Sequence, residues 1–369
     1  MPARVVMAMS GGVDSSVAAL LLRREGVDVV GVFLRSGTSL PGGPGGARSC
    51  CGAEDAHDAR RVADRLGIPF YVLDFEEGFR RLIDRFCEAY DRGATPNPCI
   101  LCNRDLKFGR LMGFADSIGA AEVATGHYAR RVHRDGRVRL RRGVDRAKDQ
   151  SYVLFPLTAS QLSRVRFPLG EMTKEQVRTR ARDEGLPVMD KPESMEICFV
   201  PGDDYRALLR ERMPDRLRPG VMRHVDGRVL GGHPGHQCFT VGQRHGLGIA
   251  LGAPAYVVRV DASSNTVVIG GVDDLMSTAC TLREVVWGIE PPRPGTELPA
   301  EVQIRSRHQA APAVVTVLTG SRAAVRFRTP QRAITPGQAA VIYDGEDVLG
   351  GGWIETEAER AVSEGRAAG

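Results

Sequence analysis

Near its start the chain carries a β-rich run, Arg4–Ala8, that passes straight into Ser10-Gly11-Gly12-Val13-Asp14-Ser15-Ser16 and then into the helically spaced stretch Asp14–Glu25. A strand, a glycine loop and a helix in that order let backbone approach an anion closely. The helix N-terminus then directs its unpaired N–H groups and positive dipole end at the same point. Ser10 and Ser15 offer hydroxyl donors there, and a carboxylate at Asp14 suits a partner of Mg²⁺. The loop is not of the GxxxxGK[ST] type, because no lysine follows its glycines. A glycine-rich turn with a helix cap is the plainer alternative, but five specified residues in this setting argue for phosphate.

The stretch after the loop keeps alternating. Strands are expected at Val27–Phe33, Phe70–Leu73 and Glu122–Thr125, and helices at Ala53–Leu66, Glu76–Tyr90, Leu106–Ile118 and Thr173–Glu184, the last with Gly185 as its cap. Short connections in such an alternation predict a doubly wound parallel sheet of the α/β class, with ligands at the carboxyl ends of the strands. Ser36–Ser49, rich in Gly and Pro, reads as a mobile loop. From about Gly220 the texture changes to short β-rich runs between Gly, Pro and Asp-Gly turns: His224–Leu230, Tyr256–Val260, Thr266–Ile269, Val314–Leu318, Ala323–Arg328 and Ala339–Tyr343. We expect a catalytic domain over 1–204, a small central linking domain over 205–275 and a C-terminal β-barrel over 276–369. The tail beyond about Glu355 reads as a frayed terminus.

Composition narrows the class. At 369 residues the chain exceeds one ordinary core, and no run of apolar residues is long enough to span a membrane. No signal-peptide pattern is evident, so the cytoplasm is expected. A net charge of +5 fits a polyanion partner without demanding one. Lys107, Lys148, Lys174 and Lys191 are the only lysines among 50 basic residues. The eight cysteines are too few and too irregular for a secreted disulfide scaffold. Cys87 and Cys280, in apolar surroundings, read as small core residues.

Cys99 and Cys102 form a C-x-x-C at the end of the stiff Thr95-Pro96-Asn97-Pro98 segment and at a helix start, where a thiolate is stabilised. Cys198 lies in a separate segment between Pro192 and Pro201. The pair alone is compatible with half a zinc site or with a redox couple, and no second C-x-x-C completes a zinc ribbon. The basic stretch Arg130–Arg146 reads either as an edge hairpin with one solvated face or as a phosphate contact. In GGHPGHQCF (231–239) the spacing of His233, His236 and Cys238 favours a turn and core over a metal site.

The loop at 10–16 resembles the PP-loop of ATP pyrophosphatases, which hold and release pyrophosphate. With the cysteines it narrows to a closer likeness. TPNPCILCN (95–103), ATGHYAR (124–130), KDQSYVL (148–154), EICFV (196–200), TVGQRHGLGI (240–249) and TPGQAAVIYDGEDVLGGGWI (335–354) follow it in order. Together they resemble, nearly end to end, the tRNA-specific 2-thiouridylase family, which thiolates the anticodon wobble uridine. The resemblance implies ATP contacts at Ala8, Met9, Ser10, Gly11, Gly12, Val13, Asp14, Ser15, Leu34 and Gly126. It implies target-base contacts at Asn97, Pro98 and Cys99, and tRNA contacts at His127, Lys148, Asp149, Gln150, Arg305, Ser306 and Gln338. It makes Cys102 and Cys198 the catalytic pair, with the persulfide on Cys198 and a Cys102–Cys198 disulfide or its equivalent left behind. ATP with Mg²⁺, a tRNA anticodon loop, and a sulfur donor (a cysteine desulfurase or relay protein) are the implied cofactors and partners.

The chain departs from the family pattern at Ser306, where an aromatic is usual, at Glu196, where a glycine is, and at Cys99, where an aspartate is. The last departure opens a second route. Cys99, Cys102 and Cys198 with an open fourth position are possible ligands of an iron–sulfur cluster; alternatively Cys99 replaces the aspartate, and Cys102 and Cys198 act as a redox pair. Other readings are a different PP-loop ligase or thiolase, such as a 4-thiouridine synthase, and a non-catalytic tRNA-binding protein. The other ligases do not explain a C-x-x-C after Asn97-Pro98 together with a distant Cys198 and a β-rich tail, and an intact phosphate loop with both cysteines argues against the non-catalytic protein.

Overall fold

The computed structural model describes residues 3–37, 52–134, 136–193, 197–200, 202, 204–249 and 252–367. Most of the Gly/Pro-rich loop expected at Ser36–Ser49 therefore lies outside the described residues, as do Cys50, Cys51 and Glu196. The chain forms two compact units. One takes in Met1–Ile83, Pro98–Asp203 and Glu346–Val348, the other Asp84–Asn97, Asp204–Gly345 and Leu349–Gly369. Residues 84–97, expected within the first domain, thus belong to the second unit.

The first unit contains strands β1 (Arg4–Ala8), β2 (Asp28–Arg35), β3 (Phe70–Asp74), β4 (Glu122–Ala124), β5 (Ala129–Arg134), β6 (Arg137–Arg142) and β7 (Val165–Arg166). Five of them form a parallel sheet in the order β3-β2-β1-β4-β7. The order reverses between β1 and β4, so the loops after these strands diverge and open a crevice at the carboxyl edge. Helices α1 (Val13–Arg24), α2 (Ala53–Leu66), α3 (Glu76–Asp91, which runs on into the second unit), α4 (Pro98–Leu101), α5 (Leu111–Ser117), α6 (Ala159–Ser163) and α7 (Lys174–Asp183) follow the alternation. Val5, Met7, Val17, Leu22, Phe33, Val62 and Val177 make one core beneath the sheet. A capping box starts α7: Thr173 N–H donates to Gln176 Oε1 at 2.8 Å, and Gln176 N–H donates back to Thr173 Oγ1 at 3.3 Å.

One helix differs from expectation. The chain is helical from Pro98 rather than from Leu106, and nine residues, Cys102–Arg110, form a π-helix between α4 and α5. Pro98 is tolerated because a first-turn residue has no intrahelical use for its N–H. Asn103, Leu106 and Phe108 are the buried positions of the π-helix, and Leu111, Met112 and Ala115 those of α5.

The second unit contains α8 (Tyr205–Arg212), a four-stranded sheet and a barrel. The sheet is built from β8 (Gly220–His224), β9 (Val229–His233), β10 (Tyr256–Asp261) and β11 (Thr266–Gly270), in the order β10-β11-β8-β9. The single strand expected at His224–Leu230 is a hairpin, turned at Asp226-Gly227 with Gly227 at φ +93°. Cys238, Phe239, Val257, Val267 and Ile269 form its core, and His233 and His236 are buried beside them. Strands β12 (Met276–Trp287), β13 (Glu297–Gln303), β14 (Ala311–Val317), β15 (Ala323–Arg332), β16 (Ala339–Asp344) and β17 (Asp347–Ile354) complete the barrel, which closes because β12 pairs with both β15 and β17. Breaks in register between Ser277 and Ala279 and between Arg283 and Val286 interrupt the alternation along β12, which hides it in the sequence. The tail is not frayed: Thr356 and Glu359 form a capping box, and helix α9 (Glu357–Ala367) follows. Among the described residues no helix is long and apolar enough to cross a membrane.

The arginine-rich segment 130–146 is the β5–β6 hairpin, and its guanidiniums are matched by carboxylates of the first unit. Arg131 meets Glu122 at 2.9 Å, Arg142 meets Asp149 at 3.1 Å, and Arg130 and Arg146 meet Glu346 at 3.0 and 2.8 Å. Asp347, 1% exposed, accepts from Arg134 at 2.7 Å and from Arg141 at 2.6 Å. Burial by itself raises the Asp347 carboxyl, but the two guanidiniums outweigh it and hold the group below its ordinary 3.8. Its stabilising contribution is therefore complete above about pH 4 and is lost as acid protonates the folded group. Asp347→Ala is expected to loosen the hairpin by about 2 kcal/mol, two charge-assisted hydrogen bonds partly offset by renewed hydration of the guanidiniums. Amide exchange should accelerate over residues 129–142 and stay unchanged in β1 and β2; uniform acceleration would refute a local clamp.

Candidate active site

The loop between β1 and α1 is shaped by what its glycines touch. Gly11 sits at φ +72°, and a Cβ there would lie 2.2 Å from the Asp55 carbonyl oxygen in the first turn of α2. Backbone occupies that space, so no side chain fits. On the other flank a Cβ on Gly126 would lie 2.8 Å from the Ser15 amide nitrogen, which packs the loop after β4 against the first turn of α1. The two loops that the topology spreads apart thus converge on one helix N-terminus. Lys191 secures the α2 side by donating to Asp55 Oδ1 and Asp58 Oδ2, both at 2.6 Å.

Ser15 fastens the loop rather than presenting its hydroxyl outward. It is 4% exposed, its Oγ accepts from Ser10 N–H at 3.1 Å, and it donates to the Gly12 carbonyl at 3.1 Å. Ser16 donates to the same carbonyl at 2.8 Å. Of the other positions expected at ATP, Met9, Val13 and Leu34 are buried, Ala8, Gly12, Asp14 and Gly126 are half-buried, and Ser10 is exposed at the crevice.

Asp14 has partners that sequence reasoning did not find. Tyr128 OH donates to its Oδ1 at 2.8 Å, and Lys174 Nζ donates to Oδ1 and Oδ2 at 2.7 and 2.8 Å. Burial, and then the charge of Asp14, pushes the Tyr128 phenol far up, so it remains a protonated donor. Gln150 fixes Tyr128 by accepting from its N–H at 3.0 Å and donating its own N–H to its carbonyl at 2.9 Å. Lys174 and Lys148 both reach Glu193, at 3.2 and 2.6 Å, and the Lys148 bond leads the effects that hold the Glu193 carboxyl below its usual range. The available signal was scarcity: a lysine in the first helical turn, in a chain that otherwise uses arginine.

The expected tRNA contacts divide. Lys148 is half-buried on Glu193. Asp149 is committed internally: it accepts from the Gly143 and Ser151 amides at 3.0 and 3.1 Å, from the Ser151 hydroxyl at 2.9 Å and from Arg142 at 3.1 Å. His127 is 7% exposed, bonded through Nδ1 to Thr125 Oγ1 at 2.8 Å and packed near the Phe108 and Phe167 rings. Burial, and then Lys107, holds it far below 6.5, so the ring is neutral. In the barrel Ser306 is exposed and Arg305 half-buried, with Arg305 donating to the Arg332 carbonyl at 3.0 Å. Gln338 is also used internally, donating to the Thr95 and Pro96 carbonyls at 2.9 and 3.3 Å, while Thr95 N–H donates to the Pro336 carbonyl at 2.8 Å. These contacts, all within the second unit, clamp the chain that leads through the half-buried Asn97 to Pro98.

Cys99 is exposed, and Cys102 and Cys198 are half-buried. Cys198 lies in a turn anchored by buried Phe199 and Val200. Among the described residues no group of three His, Cys, Asp or Glu side chains is arranged to hold a metal ion. Cys99, Cys102 and Cys198 are therefore not assembled as cluster ligands. Cys87 is buried, as expected of a core residue, whereas Cys280 is half-buried against the barrel core; burial pushes the two thiols up to about 11 and about 12.

Residues 3–202 match the family model described as "tRNA methyl transferase HUP domain", residues 206–271 the "tRNA methyl transferase PRC-barrel domain", and residues 277–354 the "Aminomethyltransferase beta-barrel domain". A protein of Carboxydothermus hydrogenoformans named "tRNA-specific 2-thiouridylase MnmA" is 51% identical over 95% of this chain and 97% of its own. One of the same name from Geobacter metallireducens is 50% identical over 98% of both. The chain belongs to the tRNA-specific 2-thiouridylase family. Within this 2-thiouridylase fold, Gly11, Asp14 and Gly126 meet at the N-terminus of α1 on the carboxyl edge of the sheet, while Cys102 and Cys198 lie in two separate segments of the chain.

Two outcomes check this geometry. Gly11→Ala is expected to abolish nucleotide binding, measured by calorimetry, while the far-UV circular dichroism stays that of the parent; retained binding would show that the loop tolerates a Cβ. His127 is neutral in the folded chain and protonates only when unfolded below 6.5. Its contribution to stability is thus present at pH 7 and falls as the pH drops below about 6.5. The His127 ring resonances should show no titration between pH 6 and 8, and a midpoint near the ordinary value would contradict its burial.

Proposed function

We propose that this protein is an ATP-dependent tRNA uridine 2-sulfurtransferase that thiolates the wobble uridine in the cytosol. The observation that carries the reading is the helix N-terminus framed by Gly11 and Gly126 at the topological reversal of the sheet, with Asp14 in its first turn. Relatives that share half the residues over nearly the whole length bear the name of that activity.

In this reading ATP lies in the crevice with its phosphates on the loop amides of Ser10–Gly12. Where Mg²⁺ accompanies it, Asp14 is the hard oxygen donor suited to the ion, and its role there is charge neutralisation. Uridine O2 attacks the α-phosphorus, the bond to the β-phosphate breaks, and pyrophosphate leaves with the electron pair. O2 thereby becomes part of a good leaving group, AMP. The target base must leave its stack, which a single-stranded anticodon loop permits more readily than a duplex. Asn97, Pro98 and Cys99 then meet it.

Sulfur comes as a persulfide on Cys198, loaded by a cysteine desulfurase or a relay protein. Its terminal sulfur attacks C2, and AMP departs with the former O2. The Cys102 thiolate attacks the Cys198 sulfur, breaking its bond to the transferred sulfur. Thiouridine and a Cys102–Cys198 disulfide result, and an external dithiol reduces the disulfide. Cys102 sits where α4 gives way to the π-helix, behind Pro98 in the first turn. His127 and Asp149, committed internally, act by holding the Thr125–Tyr128 and Gly143–Ser151 segments in place.

The decisive experiment separates activation from transfer. Cys102→Ser and Cys198→Ser should keep tRNA-dependent pyrophosphate release yet form no 2-thiouridine, as read by mass spectrometry of the digested tRNA. Asp14→Asn should lose pyrophosphate release while tRNA affinity stays within a few-fold. Thiouridine formed by either serine variant would remove that cysteine from the mechanism.

A further inference from the structure

We propose that Lys174 is the phosphate-binding cation of this site and that its ammonium contacts the pyrophosphate end of ATP. The inference rests on the ATP-activating reading above and deepens it. The loop itself contains no lysine, yet a departing pyrophosphate gains negative charge as the α–β bond breaks, and a cation aimed at that charge is the most effective electrostatic help. Lys174 brings such a charge from a helix 160 residues away in sequence. Its Nζ lies 2.7 and 2.8 Å from the two oxygens of Asp14, in the first turn of the helix whose N-terminus faces the phosphates.

A plainer role would be an ion pair stapling α7 to α1. The docking of α7 is already supplied by other means. Val177 and Ala181 are fully buried in the core that includes Val17 and Leu22, and the Thr173–Gln176 capping box fixes the helix start.

The surrounding network also allows Lys174 to turn away from Asp14 without stranding a charge. Glu193, 3.2 Å from Lys174, is held independently by Lys148 at 2.6 Å and Arg178 at 3.7 Å. Asp14 keeps the Tyr128 hydroxyl at 2.8 Å and is the carboxylate suited to the Mg²⁺ that accompanies the nucleotide. Lys174 is thus the member of the network whose bonds can be exchanged at least cost. A lysine suits that exchange, because its three donors rotate about one point charge, whereas an arginine fork would lock onto the carboxylate.

The test compares equilibrium binding of MgATP, magnesium pyrophosphate and AMP to the full chain by calorimetry, for the parent, Lys174→Gln and Lys174→Arg. In Lys174→Gln the first two ligands should weaken by about ten-fold or more, the loss of a charge-assisted contact, while AMP changes by less than about two-fold. Lys174→Arg keeps the charge but holds it on Asp14, so it should recover little of the pyrophosphate affinity. Equal weakening of AMP and pyrophosphate, or no change in either, would overturn the proposal and leave the ATP reading standing. A parent that binds none of the three would overturn both. Should Lys174→Gln fail to fold, acylation of Lys174 in the parent, followed by mass spectrometry, decides in its place: slowing by magnesium pyrophosphate and not by AMP is expected, and equal or absent protection refutes the contact.

Discussion

The rest of the site depends on one close approach, that of the Gly11 backbone to the Asp55 carbonyl. There is no space there for a Cβ, so α2 and the phosphate loop meet backbone to backbone. The equally close seat of Gly126 on the Ser15 amide completes the frame. Together they hold the first turn of α1 with its N–H groups pointing out at the carboxyl edge of the sheet, where the reversal between β1 and β4 leaves room for a ligand. Ser15 and Ser16 close the loop from inside by bonding to the Gly12 carbonyl, so its shape does not wait for a ligand.

Charge is arranged around that frame with two kinds of cation doing different work. The arginines of the β5–β6 hairpin are largely structural, pinned by Glu122, Asp149, Glu346 and the buried Asp347. Their planar forks suit fixed carboxylates. The lysines Lys148, Lys174 and Lys191 instead bond to carboxylates on or near the elements that carry the loop. A basic segment that a sequence presents as a polyanion patch can therefore be a folding device, its guanidiniums matched to carboxylates of the same unit.

Much of the architecture was legible because local pattern and global fold agree. The alternation of β-rich runs and helical spacing placed β1 to β4 and α1 to α3 within a residue or two, and Gly11 and Gly12 marked the loop. Elements whose period departs from 2 or 3.6 were not legible. Register breaks hid the alternation of β12, and the π turn at Cys102–Arg110 moved a helix start back to Pro98. The capping box at Thr356-Glu359 was readable, yet a charged, alanine-rich tail masked it. Of the residues that meet around the loop, Gly11 and Asp14 were singled out from the local sequence and Gly126 through the family likeness, whereas Tyr128 and Lys174 were not, since nothing in the local sequence joins residues more than a hundred positions apart.

By itself the sequence determined the class of fold, the phosphate loop and the family likeness, because each lies in short, contiguous runs whose physics is local. Only the tertiary structure decided which groups face one another. It buried His127 against Thr125, turned Gln338 onto Thr95 and Pro96, and left Cys99, Cys102 and Cys198 unassembled as a metal site. It also set a lysine from α7 upon the carboxylate of α1. Such pairings arise from long-range packing: the energy of a charge depends on the partner that the fold brings within a few ångströms, and backbone spacing along the chain does not encode that distance.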